Sequence, residues 1–372
     1  MGPIRKVWML TPLFFPVKAG TEVHVYNLSK ELLRLSVPVE IHTTRDTYDA
    51  KRVLSEEENV DGLKVVRHDR TWRYGDSPSI LHIHNLGRKY SLWNLYTFYY
   101  LLVESRFRDT PVVMTPHDIL IVHKGKVISF IEKLAGRRLN GIIAVSEWER
   151  EKMIELGYEP SKIEVIPNGV EDRAYEQPKE EKNGEYILYL ARFSKEKGQL
   201  FAVECLKRIP VRMIMAGQIR DQEYFRLVMN RVKELGLEDR VRYLGVVSDE
   251  EKYKLMDGAL ALVLTSEVEG EPIVVKEAMA RGTPVIVGRK AEVLPTIVKD
   301  GENGFVISDC EDLREAVEKL KNGRVREEIS RRNLELSKQW RWSAIAKKTL
   351  EYYSTLLSGM EQKVSGSAGT GI

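Results

Sequence analysis

Apolar residues come along this chain in short continuous blocks, and between the blocks they return every three or four positions over stretches of helix length. The blocks stand at Val7–Leu10, Val39–His42, Ile80–His84, Val112–Thr115 and Ile142–Ser146. Unbroken apolar runs of strand length with helical spacing between them predict a parallel sheet covered on both faces by crossover helices. After the polar stretch Glu171–Gly184 the series restarts, at Tyr186–Leu190, Val211–Ala216, Val241–Gly245, Ala259–Thr265, Pro284–Val287 and Phe305–Ile307. The pattern predicts an α/β protein of two doubly wound, Rossmann-like domains, residues 1–170 and 185–340, joined by a linker over 171–184. Residues 341–357 carry the apolar stripe of one further helix, and the small, polar tail 358–372 is expected to lack fixed structure.

Composition narrows the class. A chain of 372 residues is too long for one ordinary core, and a hydrophobic content of 43% suits two packed domains. There is no apolar run long enough to span a bilayer, and M-G-P-I-R-K lacks the apolar stretch of a secretory signal, so a cytoplasmic protein is expected. Cys205 and Cys310 are too few for a disulfide framework and too far apart for metal-ligand spacing; free buried thiols are expected. The net charge of +3 argues against broad nucleic-acid binding, although 13 Lys and Arg against 6 Asp and Glu make residues 64–138 locally basic. The 30% of charged residues leans towards a heat-adapted source.

Candidate chemistry gathers at the ends of expected strands. In E-G-E-P-I-V-V-K-E, Glu269 and Glu277 bracket a loop that turns into a helix at Pro272. Amides of the first turn, at Ile273 and Val274, and the positive end of the helix suit a phosphate, while carboxylates accept hydrogen bonds from hydroxyls. Beyond Tyr186–Leu190, A-R-F-S-K-E-K-G sets Arg192 and Lys197 where open α/β sheets bind ligands, as two cations able to grip a diphosphate. In the first half, Gly20 precedes a helix that follows the first strand, where a side chain would obstruct a phosphate. His117 and Asp118 follow Val112–Thr115 and can meet a substrate hydroxyl. His82 and His84 alternate on one strand and read as packed, satisfied core histidines.

These residues carry a family resemblance. F-F-P-V-K-A-G-T-E-V-H-V-Y-N-L-S-K-E-L, T-P-H-D, I-A-V-S-E, E-V-I-P-N-G-V, A-R-F-S-K-E-K-G, the Glu269/Glu277 pair with E-A-M-A-R-G-T-P-V-I, and V-K-D-G-E-N-G-F-V follow one another as in glycosyltransferase family 4. That group comprises retaining, sugar-nucleotide-dependent enzymes of the GT-B fold, in which two domains face a central cleft. The resemblance implies that Glu277 accepts the donor ribose hydroxyls, that Glu269 faces the transferred sugar, and that Arg192 and Lys197 clamp the diphosphate. It implies also that Gly20 admits the phosphates, that His117 contacts the sugar, and that residues 341–357 return to the first domain. No Asp-x-Asp motif occurs in the chain, so no metal or other cofactor is expected, with fixed positive charge assisting the leaving group. The sequence departs from the family pattern at Ala19, at Glu271-Pro272, where one backbone N–H is missing, and at Ala291, Glu292 and Thr296.

The expected partners are a nucleotide-diphosphate sugar and a glycan or lipid-linked acceptor. Y-S-L-W-N-L-Y-T-F-Y-Y-L-L, residues 90–102, is flanked by cations and reads either as a helix buried against a sheet or as a peripheral contact with an anionic membrane face. Two other functions fit the same residues: a sugar-nucleotide epimerase or hydrolase using Glu269 or Asp118 with water, and a noncatalytic binding subunit of the same fold.

Overall fold

In the computed structural model the described residues are 4–17, 20–45, 54–68, 77–84, 110–117, 139–179 and 184–367, with side chains described to 360. The chain divides into two compact units, 1–168 with 342–372, and 169–341.

Unit 1 runs β1 (Val7–Leu10), α1 (Gly20–Arg34), β2 (Val39–Thr44), β3 (Glu57–Val60), β4 (Leu63–His68), β5 (Ile80–His84), β6 (Val112–Thr115), β7 (Gly141–Ala144), α2 (Glu147–Glu155) and β8 (Ile163–Val165). The sheet order is β3-β4-β2-β1-β5-β6-β7-β8, parallel except where β3 meets β4. β1, β5, β6 and β7 are buried along their whole length, which is why they read as largely apolar runs, interrupted in β5 by His82 and His84. The β3–β4 hairpin and β8 carry no such signal and were not expected from the sequence; β3 is mostly exposed and β8 has three residues.

Unit 2 follows as α3 (Arg173–Glu176), β9 (Tyr186–Leu190), α4 (Gln199–Cys205), β10 (Arg212–Ala216), α5 (Gln222–Glu234), β11 (Val241–Tyr243), α6 (Asp249–Gly258) and β12 (Ala261–Leu264). It continues with α7 (Ile273–Ala280), β13 (Val285–Gly288), α8 (Leu294–Ile297), β14 (Phe305–Ile307), α9 (Cys310–Lys321) and α10 (Gly323–Ser337). All its strands are parallel, in the order β11-β10-β9-β12-β13-β14. With β9 taken as first, this is the 3-2-1-4-5-6 order of a doubly wound sheet, whose direction of winding reverses between β9 and β12. In unit 1 the corresponding reversal falls between β1 and β5.

Several expectations are corrected. Residues 171–179 are not a free linker: Ala174 is buried, and the Arg281 guanidinium holds the carbonyls of Ala174, Gln177 and Pro178 while pairing with buried Asp257. Five donors on one planar group satisfy that buried site, so the segment is fastened to unit 2. The last helix, α11, runs Trp342–Ser367, ten residues beyond Leu357, through much of the tail expected to lack structure. Its Trp342, Ile345, Ala346 and Tyr353 lie in the core of unit 1. Cys205 and Cys310 are not free thiols; they form a disulfide between the end of α4 and the start of α9, with Cα atoms 4.9 Å apart. A separation of 105 residues conceals a proximity that only the packed fold creates. The cap of α6 is Ser248, which accepts from the Glu251 amide, and the acids Asp249, Glu250 and Glu251 fill the first turn. Among the described residues no helix is long and apolar enough to cross a membrane.

Candidate active site

The reversal between β9 and β12 makes the loops after those two strands neighbours, and they supply most of the expected site residues. The loop after β9 passes through Arg192 and a tight turn at Lys195–Lys197 to Gly198, which sits at φ +74°. A Cβ at Gly198 would stand 2.2 Å from the Thr265 carbonyl oxygen, so only glycine lets this loop lie against the end of β12. Tyr189, buried on β9, closes the joint. Its hydroxyl donates to the Lys197 carbonyl, accepts from the Thr265 amide at 3.0 Å and lies 2.9 Å from Thr265 Oγ1, which bonds the Gly198 carbonyl. Burial holds the phenol well above its ordinary pKa, outweighing the Thr265 hydrogen bonds, which act to lower it.

Held in this way, Lys197 Nζ donates to Glu269 Oε1 at 2.6 Å, with the two side chains 15% and 10% exposed. The structure thus brings together a cation and an acid drawn from loops 72 positions apart. Arg192 is placed on the same loop but is 44% exposed and pairs with Glu196 at 3.2 Å. Glu277, one turn inside α7, is 7% exposed. It accepts from Lys252 Nζ at 2.8 Å and from the Tyr253 hydroxyl at 3.3 Å. Burial alone lowers the Lys252 ammonium, but the Glu277 carboxylate and Asp249 outweigh it and hold the group above its ordinary pKa. Lys252 and Tyr253 were missed in the sequence, because nothing in the pattern of α6 links them to an acid 25 positions later.

The first turn of α7 differs in part from expectation. Pro272 stands at the cap rather than inside the helix, and the Ile273 amide is used internally, donating to the Glu271 carbonyl at 3.0 Å. Val274 is half-buried behind it. Beneath, Lys276 and Glu271 form a buried ion pair.

Gly20 and His117 belong to unit 1. Gly20 opens α1, and a Cβ added there would meet nothing within 4 Å, so the fold itself does not demand glycine at that position. His117 lies just past β6 at φ +58°, in the left-handed region that histidine enters more readily than most non-glycine residues. Its imidazole is kept neutral by burial and by the nearby His24 and His82. Asp118, Ala19 and residues 90–102 lie outside the described residues.

Two doubly wound parallel-sheet units of these strand orders have the GT-B fold. The comparisons agree: residues 19–173 match the model described as Glycosyltransferase Family 4, and residues 171–339 match that described as Glycosyl transferases group 1. The chain belongs to glycosyltransferase family 4. Among curated relatives it is 28% identical over 293 residues to a GDP-mannose:cellobiosyl-diphosphopolyprenol alpha-mannosyltransferase of Xanthomonas campestris, covering 74% of this chain and 77% of that protein. Among solved structures it resembles sucrose-phosphate synthase of Thermosynechococcus elongatus, with a TM-score of 0.73 at 19% identity over 95% of this chain and all of the other. Anabaena HepE, solved in complex with UDP-glucose, gives 0.72 at 18% identity, covering 94% of this chain and 99% of the other.

Proposed function

We propose that this glycosyltransferase is a retaining enzyme of the hexosyltransferase type, moving a sugar from a nucleotide-diphosphate sugar to a hydroxyl of a glycan or lipid-linked acceptor. The observation that carries the reading is the Lys197–Glu269 pair at the β9/β12 reversal, where doubly wound sheets bind their ligands. Glu277 serves the ribose hydroxyls, Arg192 and Lys197 the diphosphate, Glu269 the transferred sugar, and Gly20 and His117 act from unit 1. In the reaction the bond from the anomeric carbon to the diphosphate oxygen breaks. The acceptor oxygen bonds the same face of that carbon, and its proton passes to the departing phosphate. Fixed cations stabilise the growing negative charge, so no metal ion is required at the diphosphate.

A sugar nucleotide as donor is supported by the ligand of the Anabaena structure and by the GDP-mannose in the name of the Xanthomonas relative. The same relative's polyprenol-linked acceptor, together with the basic composition of residues 64–138, supports a lipid-linked acceptor met at the inner face of a membrane. The test is incubation with radiolabelled uridine, guanosine and adenosine diphosphate sugars and sugar or lipid acceptors, with a chelator in parallel. A product of unchanged anomeric configuration, formed equally with chelator, is the expected result. Release of free sugar alone, binding without turnover, or an inverted product overturns the reading.

A further inference from the structure

Unit 1 gathers three imidazoles at the C-terminal edge of its sheet: His24 from α1, His84 at the end of β5, and His117 just past β6. One nitrogen from each lies within 4.8 Å of one from each of the others. His84 Nδ1 and His117 Nε2 are 3.1 Å apart. His84 Nε2 faces the Met9 sulfur at 3.4 Å, a weak acceptor, while its Nδ1 hydrogen-bonds His117 Nε2, a bond that an ion between the two rings would replace. His24 is oriented from behind: its Nδ1 meets the Asn168 amide oxygen at 2.5 Å, and Trp342 packs edge-on against its ring. An imidazole that donates from Nδ1 to a carbonyl keeps a lone pair on Nε2, the arrangement that partners of metal-bound histidines impose.

The spacing suits a shared ion. Three imidazoles on a tetrahedral ion, with metal–nitrogen bonds of about 2.0–2.1 Å, hold their nitrogens about 3.4 Å and their ring centres about 5 Å apart. The observed ring centres are 5.4 Å (His24–His84), 5.3 Å (His84–His117) and 4.4 Å (His24–His117). Two of the three already fit, and the third has to open by roughly 1 Å at most. His82 stands outside the set, since Tyr353 and Thr115 take both its nitrogens, at 2.6 and 2.7 Å, and it packs behind His84.

We propose that His24, His84 and His117 form a site for one divalent transition-metal ion of the zinc class, with His24 ligating through Nε2 and a fourth position open to water. Among the described residues the set is three neutral nitrogens with no carboxylate in it, which favours Zn²⁺, Co²⁺ or Ni²⁺ over Mg²⁺ or Ca²⁺. The ion ties α1 to the ends of β5 and β6. It belongs to unit 1 and is distinct from the diphosphate cations of unit 2; an ion held by His117 takes the place of the sugar contact proposed for that ring.

The test uses the full chain without a polyhistidine tag, stripped with chelator and titrated with Co²⁺ alone, then with Zn²⁺ in competition. One ion per chain and the visible spectrum of tetrahedral Co²⁺ are expected. Asn168→Ala, which frees the His24 ring, should weaken binding about 10–100-fold, and His24→Gln at least as much. His68→Gln, at the separate histidine pair of β2 and β4, should leave it unchanged. Should His24→Gln fail to fold, zinc-edge X-ray absorption of the unaltered protein replaces it, with three imidazole nitrogens expected. Binding well below one ion per chain, a hexa-aqua-like Co²⁺ spectrum, equal losses in His24→Gln and His68→Gln, or fewer than two imidazoles at the zinc edge overturns the proposal.

Discussion

Lys197 and Glu269 meet at 2.6 Å in a pocket of backbone that Tyr189, Thr265 and Gly198 make rigid. Each charge compensates the other, so the ammonium is pre-positioned without being left bare. A diphosphate bound beside it would bring a second anion to a cation already in place, and the energetic gain falls on the leaving group as its charge grows.

Lys197→Ala should therefore lower kcat/KM by about 10²–10³-fold, the effect of removing one fixed donor to developing negative charge. Circular dichroism should show an intact fold. The substitution also leaves Glu269 without its partner, so Lys197→Ala combined with Glu269→Gln separates the two causes: stability recovers while turnover does not. Near-normal turnover by Lys197→Ala would remove the cation from the mechanism.

Glu277 makes a different claim, on binding more than on chemistry. Hydrogen bonds to a charged group contribute about 1.5–3 kcal/mol, so Glu277→Gln should weaken nucleotide binding about 10–100-fold by calorimetry. Lys252→Met, which removes the cation beside Glu277 without touching the acid, should weaken it less. Equal affinities for all three proteins would dissociate Glu277 from the nucleotide.

Much of this was legible in the residues because buried parallel strands are apolar throughout. β1, β5, β6, β9 and β14 can be read almost to the residue, and the strand ends then locate Arg192, Lys197 and His117. What escaped has one physical origin: it depends on which surfaces meet. No local pattern announces that Lys252 reaches Glu277, that Arg281 fastens the 174–178 carbonyls, or that Cys205 faces Cys310. Gly198 shows the boundary well. Its motif was visible, but the reason for glycine there, a carbonyl 2.2 Å from the missing Cβ, is a tertiary fact.

Gly198→Ala consequently should damage both fold and activity. The left-handed backbone alone costs a non-glycine residue about 1–3 kcal/mol, and the methyl must also displace the Thr265 carbonyl. At about 2–4 °C per kcal/mol for a unit of this size, a loss of at least 4 °C in melting temperature is expected by calorimetry. Gly20→Ala is the contrasting case: its methyl meets nothing in the protein, so stability should hold. A drop in donor affinity in that variant would then report the ligand's own need for space.

The Cys205–Cys310 disulfide closes a loop of 105 residues within unit 2. Restricting an unfolded loop of that length stabilises the folded state by about 4–5 kcal/mol in the chain-entropy model, and by about 2–4 in typical measurements. Cys205→Ser with Cys310→Ser, or reduction of the unaltered chain, should lower the melting temperature by about 5–15 °C. Identical melting of oxidised and reduced protein would show that the bond contributes nothing.

Acid should unfold unit 1 through its buried imidazoles. His42 is 3% exposed on β2, with His68 Nε2 at 2.8 Å and the Glu40 carboxylate at 3.5 Å. Burial, then His68, Lys64 and Lys6, hold its pKa well below 6.5. The unfolded imidazole takes up a proton near pH 6.5 while the folded one resists until far lower, so the unfolded state binds more protons across that window. Stability contributed by the neutral ring is complete above about pH 6.5 and is lost as pH falls through it, at up to about 1.4 kcal/mol per pH unit for one proton. Urea titrations of metal-stripped protein between pH 7.5 and 5 should show this decline, and His42→Gln should make it shallower by one proton. An unchanged slope in His42→Gln would mean that the ring gains its proton as readily folded as unfolded, against its burial in the sheet.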